Sequence, residues 1–101
     1  MKAFTHPTLD EISLTCILQA VADPCRQTII HTLYEAKGRA LACNEFELDV
    51  SKATASHHFE ALRNAGVIET HAEGTKCLSK LRSKEINQRF PGLLKLIIAE
   101  A

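Results

Sequence analysis

The most chemically reactive side chains in this 101-residue sequence are those of four cysteines and five histidines. Clusters of thiolates and imidazoles hold metal ions, whereas a single cysteine cannot hold one alone. The cysteines are scattered and no two are spaced as C-x-x-C: Cys16, Cys25, Cys43 and Cys77. This spacing predicts reduced thiols, no metal site and no cofactor.

Cys25 is the strongest candidate for thiol chemistry. It follows Asp23 and Pro24, a predicted helix start, and it precedes Arg26. Free amide N–H groups and a positive charge at such a place favour the thiolate, which makes Cys25 the candidate redox residue. The other three thiols are predicted to be structural, with Cys16 and Cys43 as small core residues and Cys77 as a strand residue.

Enzyme chemistry has little support in this sequence. It contains no G-x-S-x-G, phosphate-binding loop or H-E-x-x-H motif. The adjacent His57 and His58 would point about 100° apart on a helix, so they cannot share one substrate atom. The chain is therefore predicted not to be an enzyme.

Charge is distributed unevenly, although the net charge is zero. Residues 1–50 carry four Lys/Arg against seven Asp/Glu, a net charge of −3, whereas residues 51–82 carry five against three, a net charge of +2. A polyanion would bind the second segment. No apolar run approaches the roughly 18 residues that a membrane-spanning helix needs, and the first residues lack a signal peptide's apolar segment. We therefore expect a cytoplasmic protein with no membrane partner.

Caps and breakers predict two helices in the first third of the chain. Thr8 and Glu11 form a capping-box pattern and Ser13 offers a second start, which predicts one helix or two short ones ending near Ala22. Its apolar residues surround most of the helical wheel, so a second subunit is expected to cover it. The second helix is predicted to run from Pro24 to about residue 36, with Ile29, Ile30 and Leu33 facing inward.

The remaining elements predict a winged helix-turn-helix. Asn44 is expected to cap a brief helix through Leu48, and Ser51 to cap a longer helix over residues 52–65 that Gly66 closes. A β-hairpin follows at 67–71 and 75–81, then a helix capped by Ser83 and an apolar helix over 92–101. The predicted fold is mainly α with a small β-hairpin wing, in one domain over residues 1–101. The helix-turn-helix lies at about 44–65 and the wing at about 67–81.

Three segments resemble the ArsR/SmtB-type family of transcriptional repressors. Residues 51–68, S-K-A-T-A-S-H-H-F-E-A-L-R-N-A-G-V-I, resemble that family's recognition helix and first wing strand. Residues 18–26, L-Q-A-V-A-D-P-C-R, resemble its entry to the second helix, and residues 73–75, E-G-T, its wing tip. The resemblance implies a homodimer paired through the first and last helices, bound to a double-stranded DNA operator with twofold symmetry. It also implies release of DNA on a signal, often a metal ion and sometimes thiol oxidation.

The family's usual metal ligands are missing from the matching positions. Residues 41–45 carry one thiol where the commonest site has two or more, and residues 83–101 contain neither Asp nor His. A metal site built from Cys43 and residues of other elements stays open, and the inducer is not predictable from the sequence.

Helical geometry separates a core face from a DNA face in the recognition helix. Ala55, His58, Phe59 and Leu62 cluster on the core side, whereas Ala53, Ser56, His57, Glu60 and Asn64 point away. Small and polar residues let a helix lie close in the major groove. The predicted DNA contacts of the helix are Lys52, Ala53, Thr54, Ser56 and His57. Those of the wing are His71, Thr75 and Lys76.

Two other functions remain open from the residues alone. A winged-helix module that binds protein would not change the electrophoretic mobility of any DNA duplex at low salt. A thiol-based redox switch would lose its activity when Cys25 is replaced.

Overall fold

The first helical region is divided into two parts in the computed structural model, which describes residues 4–100. A 3-10 turn spans Leu9–Glu11, where the Glu11 carboxylate accepts a hydrogen bond from the Thr8 N–H at 2.8 Å. Helix α1 then spans Leu14–Val21, and the Ser13 hydroxyl accepts from the Cys16 N–H at 3.1 Å. Of the two predicted alternatives, two short helices is confirmed. Residues 1–3 and 101 of the predicted domain lie outside the described residues.

Helix α2 spans Pro24–Glu35, as predicted. The Asp23 carboxylate accepts from the Arg26 N–H at 3.0 Å and so caps the helix. Ile29, Ile30 and Leu33 are all buried. The predicted inward face is therefore confirmed.

The segment before the recognition helix differs from the prediction. A two-residue strand β1, Leu41–Ala42, leads into a single 3-10 turn at Cys43–Glu45. The Glu45 carboxylate accepts from the Ala42 N–H at 2.8 Å, so the turn closes on Ala42 rather than starting at a cap on residue 44. The helix stops there because Phe46 buries its ring edge-to-face against Phe59, with ring centroids 5.0 Å apart. The predicted Asn44-capped helix is wrong.

The recognition helix α3 spans Lys52–Asn64. The Ser51 hydroxyl caps it by accepting from the Thr54 N–H at 3.2 Å. Gly66 follows with φ +85°, and a Cβ there would lie 2.7 Å from Cγ1 of Ile12. Only glycine fits this position, because both the left-handed backbone and the close approach exclude a side chain.

The wing is part of a three-stranded antiparallel sheet. Strand β2 spans Ile68–Glu73 and β3 spans Lys76–Leu81, joined by a two-residue turn that begins at Gly74 with φ +64°. The strand order is β1-β3-β2. The predicted hairpin is confirmed, whereas β1 was not predicted because two residues are too short for an alternating pattern.

Two helices complete the described chain: α4 spans Ser83–Arg89 and α5 spans Leu93–Glu100. Ser83 is the first helical residue rather than the cap, which is Arg82. The core joins the helices to the sheet, and its fully buried side chains are Ile12, Ile17, Ile29, Ile30, Leu33, Leu62, Val67, Ile68 and Ile86. The predicted mainly α fold with a β-hairpin wing is confirmed.

Candidate nucleic-acid interface

The two faces of α3 have the predicted exposure. His58, Phe59 and Leu62 are buried and Ala55 is half-buried. Every residue predicted to point outward is exposed: Ala53, Ser56, His57, Glu60 and Asn64. The other two predicted contacts of the helix, Lys52 and Thr54, are exposed as well. The outer face near the N-terminus of α3 is therefore a continuous surface of small and polar side chains.

The first turn of α3 is fixed by its cap. The Ser51 Oγ accepts from the Thr54 N–H and also lies 3.0 Å from the Thr54 hydroxyl oxygen, to which it donates. The Thr54 hydroxyl is thus oriented, and its own hydrogen can still be donated to an acceptor outside the protein.

A buried hydrogen-bond network holds α3 against the first two helices. His58 is only 9% exposed, and its Nδ1 accepts from Nε of Arg26 at 2.9 Å. Nη1 of Arg26 donates to the Ala20 carbonyl at 3.2 Å. The Asp23 carboxylate lies 3.9 Å from the same Nδ1 atom, so it borders this network. His58 is a packed histidine, as predicted.

Arg26 is thus a positioning residue that the sequence pattern alone did not indicate. It contacts α1 through Ala20 and α3 through His58. The signal for this role was its place in the segment of residues 18–26 that resembles the entry to the second helix.

The predicted wing residues lie along the outer side of the hairpin and at its tip. Thr75 and Lys76 are exposed at the turn, and Lys76 is opposite Glu73 in the strand register. His71 is exposed, with Nε2 3.6 Å from a Glu73 carboxylate oxygen. Glu73 therefore offsets part of the positive charge that the tip would present to a phosphate.

Three of the five basic residues in 51–82 are already engaged within the protein. Lys80 forms an ion pair with Glu69 at 3.2 Å. Arg82 is buried and donates to the carbonyl of residue 7 at 2.9 Å. The Arg63 guanidinium lies 4.7 Å above the centre of the Phe4 ring.

The two remaining cations, Lys52 and Lys76, are exposed. Among residues 4–99, no carboxylate lies within 4.0 Å of either ammonium group. They belong to the two elements predicted to contact DNA, the recognition helix and the wing. Lys52 and Lys76 are thus the cations of this segment that are exposed and outside an ion pair among the described side chains.

The surroundings of Cys25 do not favour the thiolate that the sequence predicts. Burial raises the pKa of the Cys25 thiol, and the Asp23 carboxylate raises it further, while Arg26 only partly opposes them. The hydrogen bond from the Arg26 N–H lowers the pKa of Asp23, which keeps that carboxylate charged. The predicted stabilisation of the thiolate is wrong, because burial and then the helix-capping carboxylate outweigh the effect of Arg26 on the Cys25 pKa.

The donor atoms of Asp23, Cys25 and His58 lie within 4.8 Å of one another. The sequence did not indicate this cluster, because His58 lies on a different helix from Cys25. Such donors suit zinc or a softer cation. The Arg26 guanidinium already occupies Nδ1 of His58, so a metal bound there would have to displace it. Two of its members, Asp23 and His58, each accept a hydrogen bond from Arg26.

The remaining cysteines are all exposed: Cys16, Cys43 and Cys77. The predicted core positions of Cys16 and Cys43 are therefore wrong. Cys16 lies on the outward side of α1, and Cys43 begins the 3-10 turn at the margin of the sheet.

The described residues include no helix that is both long enough and apolar enough to span a membrane.

The sequence model of the family described as "Bacterial regulatory protein, arsR family" matches residues 45–70, from the end of the 3-10 turn through α3 into β2. The chain is also similar to YceK of Bacillus subtilis (strain 168), an uncharacterized HTH-type transcriptional regulator. The two are 35% identical over 83 residues, which cover 80% of this chain and 82% of YceK. The chain belongs to the ArsR family. This ArsR-family protein is a DNA-binding transcriptional regulator and not an enzyme, as predicted.

Proposed function

We propose that this ArsR-family protein is a cytoplasmic repressor that binds, as a homodimer, a DNA operator with twofold symmetry. The observation that carries the proposal is the outer face of α3. It is small, polar and exposed, while the opposite face is anchored in the core. A rigid helix with such a face can enter the major groove and place its side chains at base edges.

Each predicted residue of α3 has a separate role in this proposal. Ser56 and His57 contact base edges, because they lie on the outward face and offer hydrogen-bond donors and acceptors. Ala53 allows the helix to approach the bases closely. Lys52 and Thr54, which flank this face, contact phosphates.

The wing contributes contacts that do not depend on sequence. Lys76 and Thr75 lie at the tip, where they would follow a phosphate strand or the adjacent minor groove. His71 lies farther from the tip, and its imidazole is close to Glu73, the residue opposite Lys76 in the strand register. We therefore expect Lys76 to contribute more affinity than His71.

Exposed leucines on the first and last helices support a homodimer. Leu14 and Leu18 of α1 are 43% and 48% exposed, and Leu96 of α5 is 59% exposed. Large apolar side chains grouped on a surface mark an interaction site. A second copy of the chain, paired through α1 and α5, would cover them.

The Arg26 network gives dimer formation a physical connection to DNA binding. Arg26 bonds both the end of α1, a proposed dimer helix, and His58 of α3. The spacing of the two recognition helices in a dimer would then be fixed by packed, hydrogen-bonded contacts. Half-sites one helical turn apart, about 34 Å, would match such a dimer. The proposal includes no resident metal, since Arg26 already fills the position at His58.

The test compares discrimination between an operator and random DNA. The operator is first selected from random duplexes, and affinities are measured by mobility shift. Ser56→Ala and His57→Ala should each reduce the operator preference by about 1–3 kcal/mol where a base contact is lost. Gln88→Ala, an exposed change on α4, is the matched control and should leave the preference unchanged.

The outcome separates this proposal from its main alternative. If neither variant changes the preference, α3 does not contact the bases. If the wild-type protein shifts no duplex even at low salt, the winged helix is a protein-binding module instead.

A further inference from the structure

Two exposed cysteines, Cys43 and Cys77, lie just beyond the last paired residues of strands β1 and β3, where the helix-turn-helix meets the wing. Strand β1 pairs with β3 so that Leu41 opposes Ser79 and Ala42 opposes residue 78. Continued by one residue, this antiparallel register places Cys43 opposite Cys77. Directly opposed residues have Cβ atoms about 4.5–5.5 Å apart, and a disulfide needs about 3.5–4.5 Å. A small adjustment would bring the pair into disulfide geometry.

The side-chain directions agree with this register. Leu41 and Ser79 are both buried on the core face of the sheet. Ala42 is extended, with φ −78° and ψ 158°, so Cys43 continues the alternation on the same face as Leu41. Cys77 lies two positions before Ser79 and shares that face as well. Both thiols lie beyond the end of the buried core, where solvent and an oxidant can reach them.

The ionisation of Cys43 agrees with this placement. Partial burial of the sulfur raises the pKa of Cys43, the neighbouring Cys77 raises it further, and Lys52 partly opposes both. Charges in an exposed region influence each other strongly only at short range. Cys77 is therefore among the groups whose charge reaches Cys43.

We infer that Cys43 and Cys77 are an oxidative modification site that closes an intrachain disulfide in the presence of a peroxide. One thiolate attacks the O–O bond of hydrogen peroxide, becomes a sulfenic acid and releases hydroxide, which is protonated to water. The second thiolate attacks the sulfenic sulfur, forms the S–S bond and releases hydroxide, which becomes a second water. The two thiols lose two electrons and two protons in total, and one peroxide is reduced to two waters.

The bond would fix the wing relative to the recognition helix. The closed loop runs from residue 43 to residue 77 and contains all of α3 and β2. In the reduced protein β1 stops pairing at Leu78, so the wing tip beyond it pairs only with β2. Lys76, next to Cys77, would lose the freedom to adjust to a phosphate strand. This consequence rests on the proposed DNA-binding function, and we expect operator affinity to fall about fivefold or more.

The first experiment tests the bond without DNA. The full chain, fully reduced, is treated with hydrogen peroxide, its remaining free thiols are alkylated, and its peptides are mapped without reductant. We expect a peptide pair linked through Cys43 and Cys77 at monomer mass, with Cys16 and Cys25 alkylated. A link between other cysteines, a link between subunits, or no link at all would overturn the inference.

The second experiment tests the consequence by mobility shift, before oxidation, after it and after re-reduction. Cys43→Ser and Cys77→Ser should each bind DNA normally and lose all response to peroxide. Cys16→Ser, which removes another exposed thiol, is the matched control and should respond like wild type. If the mapped disulfide forms and affinity is unchanged, the regulatory consequence is refuted. If the reduced protein binds no duplex, the proposed function fails while the mapped disulfide still stands.

Discussion

The salt dependence of operator binding can be predicted from the two free lysines. Each subunit presents Lys52 and Lys76 outside any ion pair among the described residues, so a dimer would neutralise about four phosphates. Each neutralised phosphate contributes a slope of about −0.9 to the logarithm of affinity against the logarithm of salt concentration, which gives about −3.6. Affinity should therefore fall about 150-fold between 50 and 200 mM salt.

Lys76→Ala removes one of these contacts from each subunit. The slope should decrease to about −1.8, so the same change in salt should lower affinity only about 12-fold. The loss should be similar for operator and random DNA, because a phosphate contact carries no sequence information.

Lys80→Ala is the matched control for this prediction. Lys80 lies on the same strand as Lys76, but it is already paired with Glu69 at 3.2 Å. Its removal should leave the slope near −3.6, as measured by mobility shift over the same salt range. An equal decrease in both variants, or a wild-type slope twice as steep, would refute the assignment of phosphate contacts to the free lysines.

Three further predictions concern assembly and stability. Leu96→Glu should convert a dimer of twice the 11.2 kDa chain mass into a folded monomer by light scattering, whereas an unchanged dimer would exclude α5 from the interface. Gly66→Ala should lower the free energy of unfolding in denaturant by about 2–4 kcal/mol, because both φ and the close packing oppose a Cβ. Gly38→Ala, with φ +87° and no atom within 4 Å of the added Cβ, should cost clearly less, and equal costs would refute the packing argument. Nε2 of His6 accepts a hydrogen bond from the Thr70 N–H at 2.9 Å. Burial, followed by the charge of Arg82, lowers the pKa of His6 from its ordinary value of 6.5. The free energy of unfolding should thus decrease as pH falls below about 6.5, and it should level off below the pKa of His6 in the folded protein. The His6→Gln variant should lack this part of the pH dependence.

Local signals in the sequence predicted most of the helices and the faces they bury. Ser13, Asp23 and Ser51 cap their helices within three residues of themselves, so their effect depends on nearby sequence alone. The core and outer faces of α3 follow from helical periodicity in the same way. The candidate DNA-contact residues could therefore be placed on the exposed face before any tertiary contact was known.

Several of the errors and omissions involve contacts between distant parts of the chain. Strand β1 exists because it pairs with β3, and the 3-10 turn ends because Phe46 packs on Phe59. Burial of the Cys25 thiol, which raises its pKa first, also depends on packing between elements, whereas the further effect of Asp23 is local. The opposition of Cys43 and Cys77 depends on a strand register that the sequence does not encode locally.

The central claim is that the exposed face of α3 binds a specific DNA sequence as part of a homodimer. The most direct test begins by selecting bound duplexes from random DNA. The enriched duplex then competes with a shuffled duplex for the protein at about 150 mM salt, close to physiological ionic strength. The account predicts an inverted repeat with half-site centres about 10–10.5 base pairs apart, or a multiple of that spacing. It also predicts two chains per duplex and a preference of about 10³ or more over shuffled DNA. Failure to enrich any sequence, or one chain bound to a site without symmetry, would contradict it.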